Sequence, residues 1–185
     1  MKMASAARRL LHALLLGLLG AAIVHILLLL MLPGFARNDA WARVSGLGQN
    51  YQFVRLKQDG AGTPLAGTDP MFEAAICRFD LLDGVVHVTV KEQVPFWSAA
   101  VFDRRGRVVY SLTDRTAAGG PPDIVLASPA QLLEMRKAMP EQFANSVFIE
   151  SGLSEGMLLL RGFVPDPTWR PTVERFLNEA ACTSG

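Results

Sequence analysis

Histidine is scarce in this chain, with three copies in 185 residues, and cysteine is scarcer, with two. The spacings in which such residues do chemistry are missing too: there is no H-E-x-x-H, no CxxC, no G-x-S-x-G, no P-loop and no Rossmann glycine pattern. Metalloprotease, serine hydrolase and nucleotide-binding roles therefore lack positive support. No cofactor or metal site is expected, which leaves only catalytic groups assembled from distant residues. Charged residues make up 19% of the chain and form no basic stripe interleaved with aromatics, so nucleic acid is not an expected partner. Neither a repeat nor a biased tract is present, and a stalk or flexible tether is excluded on composition.

What is present is a stretch of about 23 residues, Leu10 to Leu32, without one formal charge. As a helix it would span about 35 Å, enough to cross a hydrocarbon core of about 30 Å with some tilt. We take it as one transmembrane helix. Lys2, Arg8 and Arg9 precede it with no acidic residue, whereas Arg37, Asp39 and Arg43 beyond it nearly balance. The excess of positive charge puts the N-terminus in the cytoplasm and the remainder across a bacterial inner membrane, in the periplasm. A cleaved signal would share the basic start, and Gly34-Phe35-Ala36 offers small residues for cleavage, but its apolar region would run to only about 7 to 15 residues. An uncleaved signal anchor is the expectation. Within the span, Gly17 and Ala21 lie four apart, a spacing that lets two helices approach closely, and His25 sits near mid-depth without the second ionisable group a proton relay needs.

The expected organisation is a cytoplasmic stub (1–9), a transmembrane helix (10–32), a juxtamembrane segment (33–48) and one exported α+β domain (49–185). About 150 residues beyond the anchor suffice for one modest core. The exported part is slightly acidic, since three of the 18 basic residues precede the span. Both cysteines, Cys77 and Cys182, lie in it. An oxidising compartment favours their pairing, over two buried thiols or a metal pair. Closing a loop of about 105 residues is worth about 4 to 5 kcal/mol on the chain-entropy account.

Along the exported chain, Pro33-Gly34 is expected to end the span. Asn38 or Asp39 would then cap a short helix through Leu47 that carries Trp41 at the membrane interface. Tyr51 to Leu56 alternates as a strand, and a Gly/Pro/Asp-rich loop follows from Asp59 to Pro70. Ala74 to Leu82 is a strand carrying Cys77, and Asp83-Gly84 signals a hairpin into Val85 to Val90, with His87 on its more polar face. Phe96 to Phe102 and Val108 to Leu112 form a second hairpin around Asp103-Arg104-Arg105-Gly106-Arg107, with Gly106 at the left-handed position. Simple pairing would set Phe102 opposite Val108, Ala100 opposite Tyr110 and Val101 opposite Val109. Both faces are apolar, as in a central hairpin covered on two sides.

Asp123 to Ala127 follows as a short strand. Ser128-Pro129-Ala130-Gln131 has the form of a capping box, starting a helix that Pro140 stops. Ser146 to Glu150 and Met157 to Val164 are further strands, and Trp169 to Ala180 a last helix that a Cys77–Cys182 bridge would pin to the sheet. The predicted fold is an antiparallel sheet of about six to eight strands with two flanking helices.

The run PFWSAAVFDRRGRVVYSLTDRT, with the upstream GTDPMFEAAICRFDL, resembles the bacterial family known as domain of unknown function 1254 in a short membrane-anchored form. Trp97, Ser98, Val101, Phe102, Asp103 and Gly106 fit its W-S-x-x-V-[YF]-D-x-x-G pattern, Phe102 standing where the family usually has Tyr. The resemblance implies an anchored envelope protein with a β-rich exported domain, and carries no reaction or catalytic residue.

Candidate interaction residues are Trp97, Asp103, Tyr110, Asp114 and Arg115; Asp103 is also a natural turn former, and Asp114-Arg115 an ordinary loop pair. Three functions are compatible with the sequence: an envelope scaffold or accessory module contacting another protein or the cell wall, a periplasmic module binding a small or lipidic molecule in an apolar groove, or a periplasmic enzyme in which a carboxylate, His87 and Arg115 converge in a cleft.

Overall fold

The computed structural model describes residues 2–56, 69–117 and 119–185, with the side chains of 2–7 and 32–40 excepted. Most of the expected Asp59–Pro70 loop and Ala118 lie outside what is described, as do the side chains of Asn38 and Asp39, whose backbone runs inside one continuous helix, so that no separate short helix is capped there. The chain divides into two compact units, Met1–Asp39 and Ala40–Gly185.

The first unit is helical, part of α1 (Lys2–Ser45). Its segment Arg8–Met31 has a mean hydropathy of 2.7 and no buried residue, and is long and apolar enough to cross a membrane. The expected break at Pro33-Gly34 is absent. Pro33 withholds one amide from the helical ladder, a loss that helical residues on both sides can carry, so it does not end the helix. The end comes at Ser45, where Gly46 and Leu47 donate to the carbonyls of the last turn.

The second unit is α+β, with nine strands in two sheets among the described residues. Strands β1 (Phe53–Leu56), β2 (Phe72–Asp80), β4 (Trp97–Asp103), β5 (Val108–Thr113) and β8 (Glu155–Phe163) form an antiparallel sheet in the order β1-β2-β8-β4-β5. The other sheet runs β7-β6-β3-β9, from β3 (Val86–Thr89), β6 (Asp123–Ala127), β7 (Val147–Glu150) and β9 (Ala181–Ser184), with β6 and β7 parallel. One sheet was expected, and two are present because alternation specifies a face but not which sheet the face belongs to.

The core lies between the sheets. Alternate residues of β2, β4 and β8 (Cys77, Phe79, Trp97, Val101, Leu158, Leu160) meet those of β3, β6 and β7 (Val86, Val88, Ile124, Leu126, Ile149). Helix α3 (Arg170–Asn178) adds Val173, Phe176 and Leu177. It can come close because Gly162 lacks a side chain, where a Cβ would stand 2.7 Å from Val173 Cγ1. On the outer face of the five-stranded sheet, Trp41 and Val44 pack against Leu56, Ala74, Ile76 and Met157. On the outer face of the other sheet, α2 (Pro129–Lys137) brings Leu132 onto Val85, Val125 and Phe143. The start of α2 is as the sequence predicts: Ser128 accepts from the Gln131 amide at 3.3 Å, and the Gln131 side chain accepts from the Ser128 amide at 2.8 Å.

Several expectations change. Asp83-Gly84 does not close a hairpin, since β2 and β3 belong to different sheets. Gly84, at φ +147°, turns the chain from one sheet to the other, and the Tyr51 hydroxyl braces that corner, 2.6 Å from Asp80 O and 2.8 Å from Asp83 Oδ2. Tyr51 itself holds a left-handed φ of +62°. The last helix ends at Asn178, earlier than expected, and the chain then adds β9 against β3. Cys77 and Cys182 form a disulfide, Cα atoms 6.6 Å apart, that joins β2 to β9 and so ties the two sheets across the core instead of pinning a helix.

Candidate interaction surface

The hairpin of β4 and β5 is built around Asp103. Its Oδ1 accepts from the amides of Arg105 and Arg107 at 2.8 and 2.9 Å, and its Oδ2 from Arg107 Nε at 2.7 Å. Gly106, at φ +72°, completes the turn by donating to Asp103 O. Burial works to raise the pKa of this carboxyl, which is only 6% exposed, but the Arg107 amide and guanidinium and the Arg105 amide together hold it below the ordinary carboxylate range. Asp103 thus shapes the turn and, being buried, has little surface to offer a partner.

The turn presents three guanidiniums. Arg104 Nη1 lies 2.8 Å from Glu155 Oε1, with its guanidinium 5.2 Å above the Trp41 ring. Arg107 is held by Asp103, and Arg105 is exposed with no carboxylate partner among the described residues. Val108, Val109 and Tyr110 follow, 58%, 47% and 40% exposed. The expected pairing holds at Phe102 opposite Val108 and then slips: a bulge sets Tyr110 opposite Val101 and Ser111 opposite Ala100. Nor is the hairpin central. Strand β8 occupies the middle of the sheet, and β5 is its edge, bonded among the described residues to β4 alone. Val108 to Ser111 therefore read as core in the sequence but stand on the surface.

The remaining candidates lie at the other end of the hairpin or inside it. Trp97 is buried, its Nε1 donating to Gly120 O at 2.9 Å, and anchors the loop after β5. Asp114 opens a short 3₁₀ helix, Asp114–Ala117, and its Oδ1 is buried without a hydrogen-bond partner among the described residues. Arg115 is exposed, and among the described residues no ion pair joins it to Asp114. Tyr110 and Asp103 belong to the edge and its turn, so the five candidates do not form one site.

His87 is not drawn into a cleft with Arg115. Its Nε2 lies 2.9 Å from Asp123 Oδ1, which also accepts from Ser146 Oγ at 2.5 Å, and its ring stands edge-on to Phe143. Here the carboxylate sits between serine and imidazole, whereas a nucleophile relay needs the imidazole in the middle. The arrangement fastens β7 and β3 to β6. A groove lined by Val44, Leu47, Gly48, Gln52, Val54, Ile76 and Arg78 has no interior room for a water molecule. Among the described residues no three His, Cys, Asp or Glu side chains are grouped to hold a metal ion.

Two features escaped the sequence reading. Glu73, 6% exposed, accepts from Arg55 at 3.0 Å and from Arg170 at 2.6 Å, tying β1, β2 and α3. Its position on a strand rich in apolar residues is a signal of a buried charge, but nothing in the spacing names its partners. The contact of Arg104 with Trp41 likewise joins segments about 60 residues apart that no local pattern connects.

Among solved structures, the VPA0106 protein from Vibrio parahaemolyticus shares the fold, with a TM-score of 0.57 at 11% identity, over 82% of this chain and 35% of that one. A putative uncharacterized protein from Burkholderia cenocepacia is 15% identical over 62% of this chain and 32% of its own, with a TM-score of 0.43. The chain thus spans about a third of the length of these relatives. None of the curated proteins matches. A family model described as "Protein of unknown function (DUF1254)" matches residues 74–184, well over half of the chain, from β2 through β9. This protein belongs to the DUF1254 family.

Proposed function

We propose that this is a single-pass protein of the bacterial inner membrane, N-terminus in the cytoplasm, whose folded unit lies in the periplasm and serves as an interaction module of the cell envelope, contacting another envelope protein through the edge strand β5. The observation that carries the reading is the exposed run Val108-Val109-Tyr110 on an edge with no strand beyond it among the described residues. An apolar edge of this kind offers unpaired backbone groups to an added strand and risks aggregation when left uncovered. The compartment is supported by the excess of basic residues before the apolar segment and by the disulfide, which persists where glutathione does not reduce it.

A photoreactive amino acid placed at Tyr110 in living cells tests the contact. A discrete protein adduct at Tyr110 that is absent at Leu133, a still more exposed position on α2, is expected. Identical adduct patterns at the two positions would end the reading. Protease protection of the C-terminal unit in intact spheroplasts would overturn the orientation.

A further inference from the structure

We infer that the turn of the β4–β5 hairpin seats on anionic phospholipid headgroups of the membrane that holds the chain's own apolar helix. The inference rests on the anchored reading above and goes beyond it, since it gives the hairpin tip, with Val108 where the β5 edge begins, to lipid and leaves Val109 and Tyr110 to the protein partner.

The tip combines three features that a headgroup layer recognises. Arg104, Arg105 and Arg107 lie within four residues, the first and last with side chains 60% and 65% exposed. The carboxylates of Glu155 and Asp103 orient two of these guanidiniums without covering them, which leaves their outer N–H groups for phosphate oxygens. Arg105 is exposed and carries no such partner among the described residues. Directly after the tip, Val108 offers an apolar side chain able to enter the boundary between headgroups and acyl chains, next to cations that stay at the phosphate level.

Trp41 supplies the link to the bilayer. It belongs to the folded unit, half-buried beneath the Arg104 guanidinium, and only nine residues of chain separate it from Met31 at the end of the apolar segment. The ten steps from one to the other reach at most about 35 Å even when fully extended. The folded unit therefore cannot leave the neighbourhood of the membrane, and the surface around Trp41 is the part of it held on the shortest leash. Tryptophan and arginine side by side is the composition of an interfacial collar. A basic tip tethered so near a bilayer meets anionic lipid at high effective concentration, so each weak phosphate contact counts.

The test uses the full chain in vesicles of phosphatidylcholine alone and of phosphatidylcholine mixed with phosphatidylglycerol. Both native cysteines are in the disulfide, so Val108→Cys introduces the one thiol for a nitroxide label, and Leu133→Cys on α2 serves as the control. Collision of the label with oxygen, which concentrates in lipid, is compared with collision with a water-soluble nickel chelate. We expect the oxygen-to-nickel ratio at position 108 to rise severalfold when phosphatidylglycerol is present and to fall back at high salt or with Arg105→Glu, while position 133 stays in water throughout. The melting temperature of Arg105→Glu is expected to match wild type, because its exposed side chain makes no ion pair or hydrogen bond among the described residues.

A label at 108 that stays in water in both bilayers, or enters both equally, overturns the inference. Spin–spin broadening between labels at 108 would assign the edge to a second copy of the chain and overturn it as well. Retention on vesicles through alkaline carbonate reads the anchor separately. Failure to immerse in vesicles that retain the protein refutes the tip contact alone, and loss of the protein from them refutes the anchor and the tip contact together.

Discussion

Replacing Cys77 and Cys182 together by alanine removes the covalent tie between the two sheets. The cysteines are 105 residues apart in sequence, and freeing a loop of that length returns about 4 to 5 kcal/mol of chain entropy to the unfolded state. Both sulfurs are buried, and their loss adds a smaller term for vacated core space. Against a net stability of about 5 to 15 kcal/mol for a typical domain, the variant loses from about a third to nearly all of its margin. At about 2 to 4 °C per kcal/mol for a domain of this size, the melting temperature should drop by about 10 to 20 °C. Calorimetry or circular dichroism in detergent, without reductant, reads this directly. Amide exchange should show β9 loosening first, because that edge strand loses a cross-link while keeping only β3 as a neighbour. A variant melting within about 3 °C of wild type would refute the reasoning, since less than about 1 kcal/mol would then have come from the cross-link. Recovery of both residues as free thiols from intact envelopes would remove its premise.

Gly162→Ala should cost about 1 to 3 kcal/mol in urea unfolding, because the new methyl would meet Val173 and Phe176 of α3; an unchanged midpoint would mean that the helix can step back freely. The Asp103 carboxyl is held below its ordinary value of 3.8 in the fold, so its contribution is present above pH 4 and is lost as the pH falls through the folded value. The stability gap between wild type and Asp103→Asn should accordingly be constant at neutral pH and shrink in acid, and a gap that widens in acid would contradict the geometry. For Tyr51, burial first and then the hydrogen bond with Asp83 push the phenol from 10.0 to about 12. Its stabilisation holds below pH 10 and is lost between pH 10 and 12, so Tyr51→Phe should show a shallower alkaline loss than wild type.

Local signals in the sequence were reliable where they are physically complete. The capping box at Ser128 and Gln131, the glycine turn after Asp103 and the β6 bounds at Asp123 and Ala127 depend on a few adjacent residues, and each is found as expected. The cysteine pair was legible because two thiols permit one partner each. What the sequence does not carry is the identity of non-local neighbours. Strand β8 looks like any apolar strand, yet it separates β2 from β4 and displaces the hairpin from the centre to the edge. A single bulge between Val101 and Phe102 then moves every later pair by one residue. Ala181 to Ser184 is too short and too polar to read as a strand, and becomes one by borrowing hydrogen bonds from β3. The interaction surface was half visible: Tyr110 and the basic turn are conspicuous, but their exposure follows from an edge position that only the assembled sheet reveals.

The place of β8 also sets a timetable. Its two neighbours are made some 50 to 80 residues before it, so as the chain is synthesised β2 and β4 wait with their apolar flanks unmatched until nearly the whole polypeptide has emerged. Contacts so distant in sequence close slowly. A nascent chain of this kind spends its vulnerable interval early, and any holding factor that serves it must act before residue 155 appears.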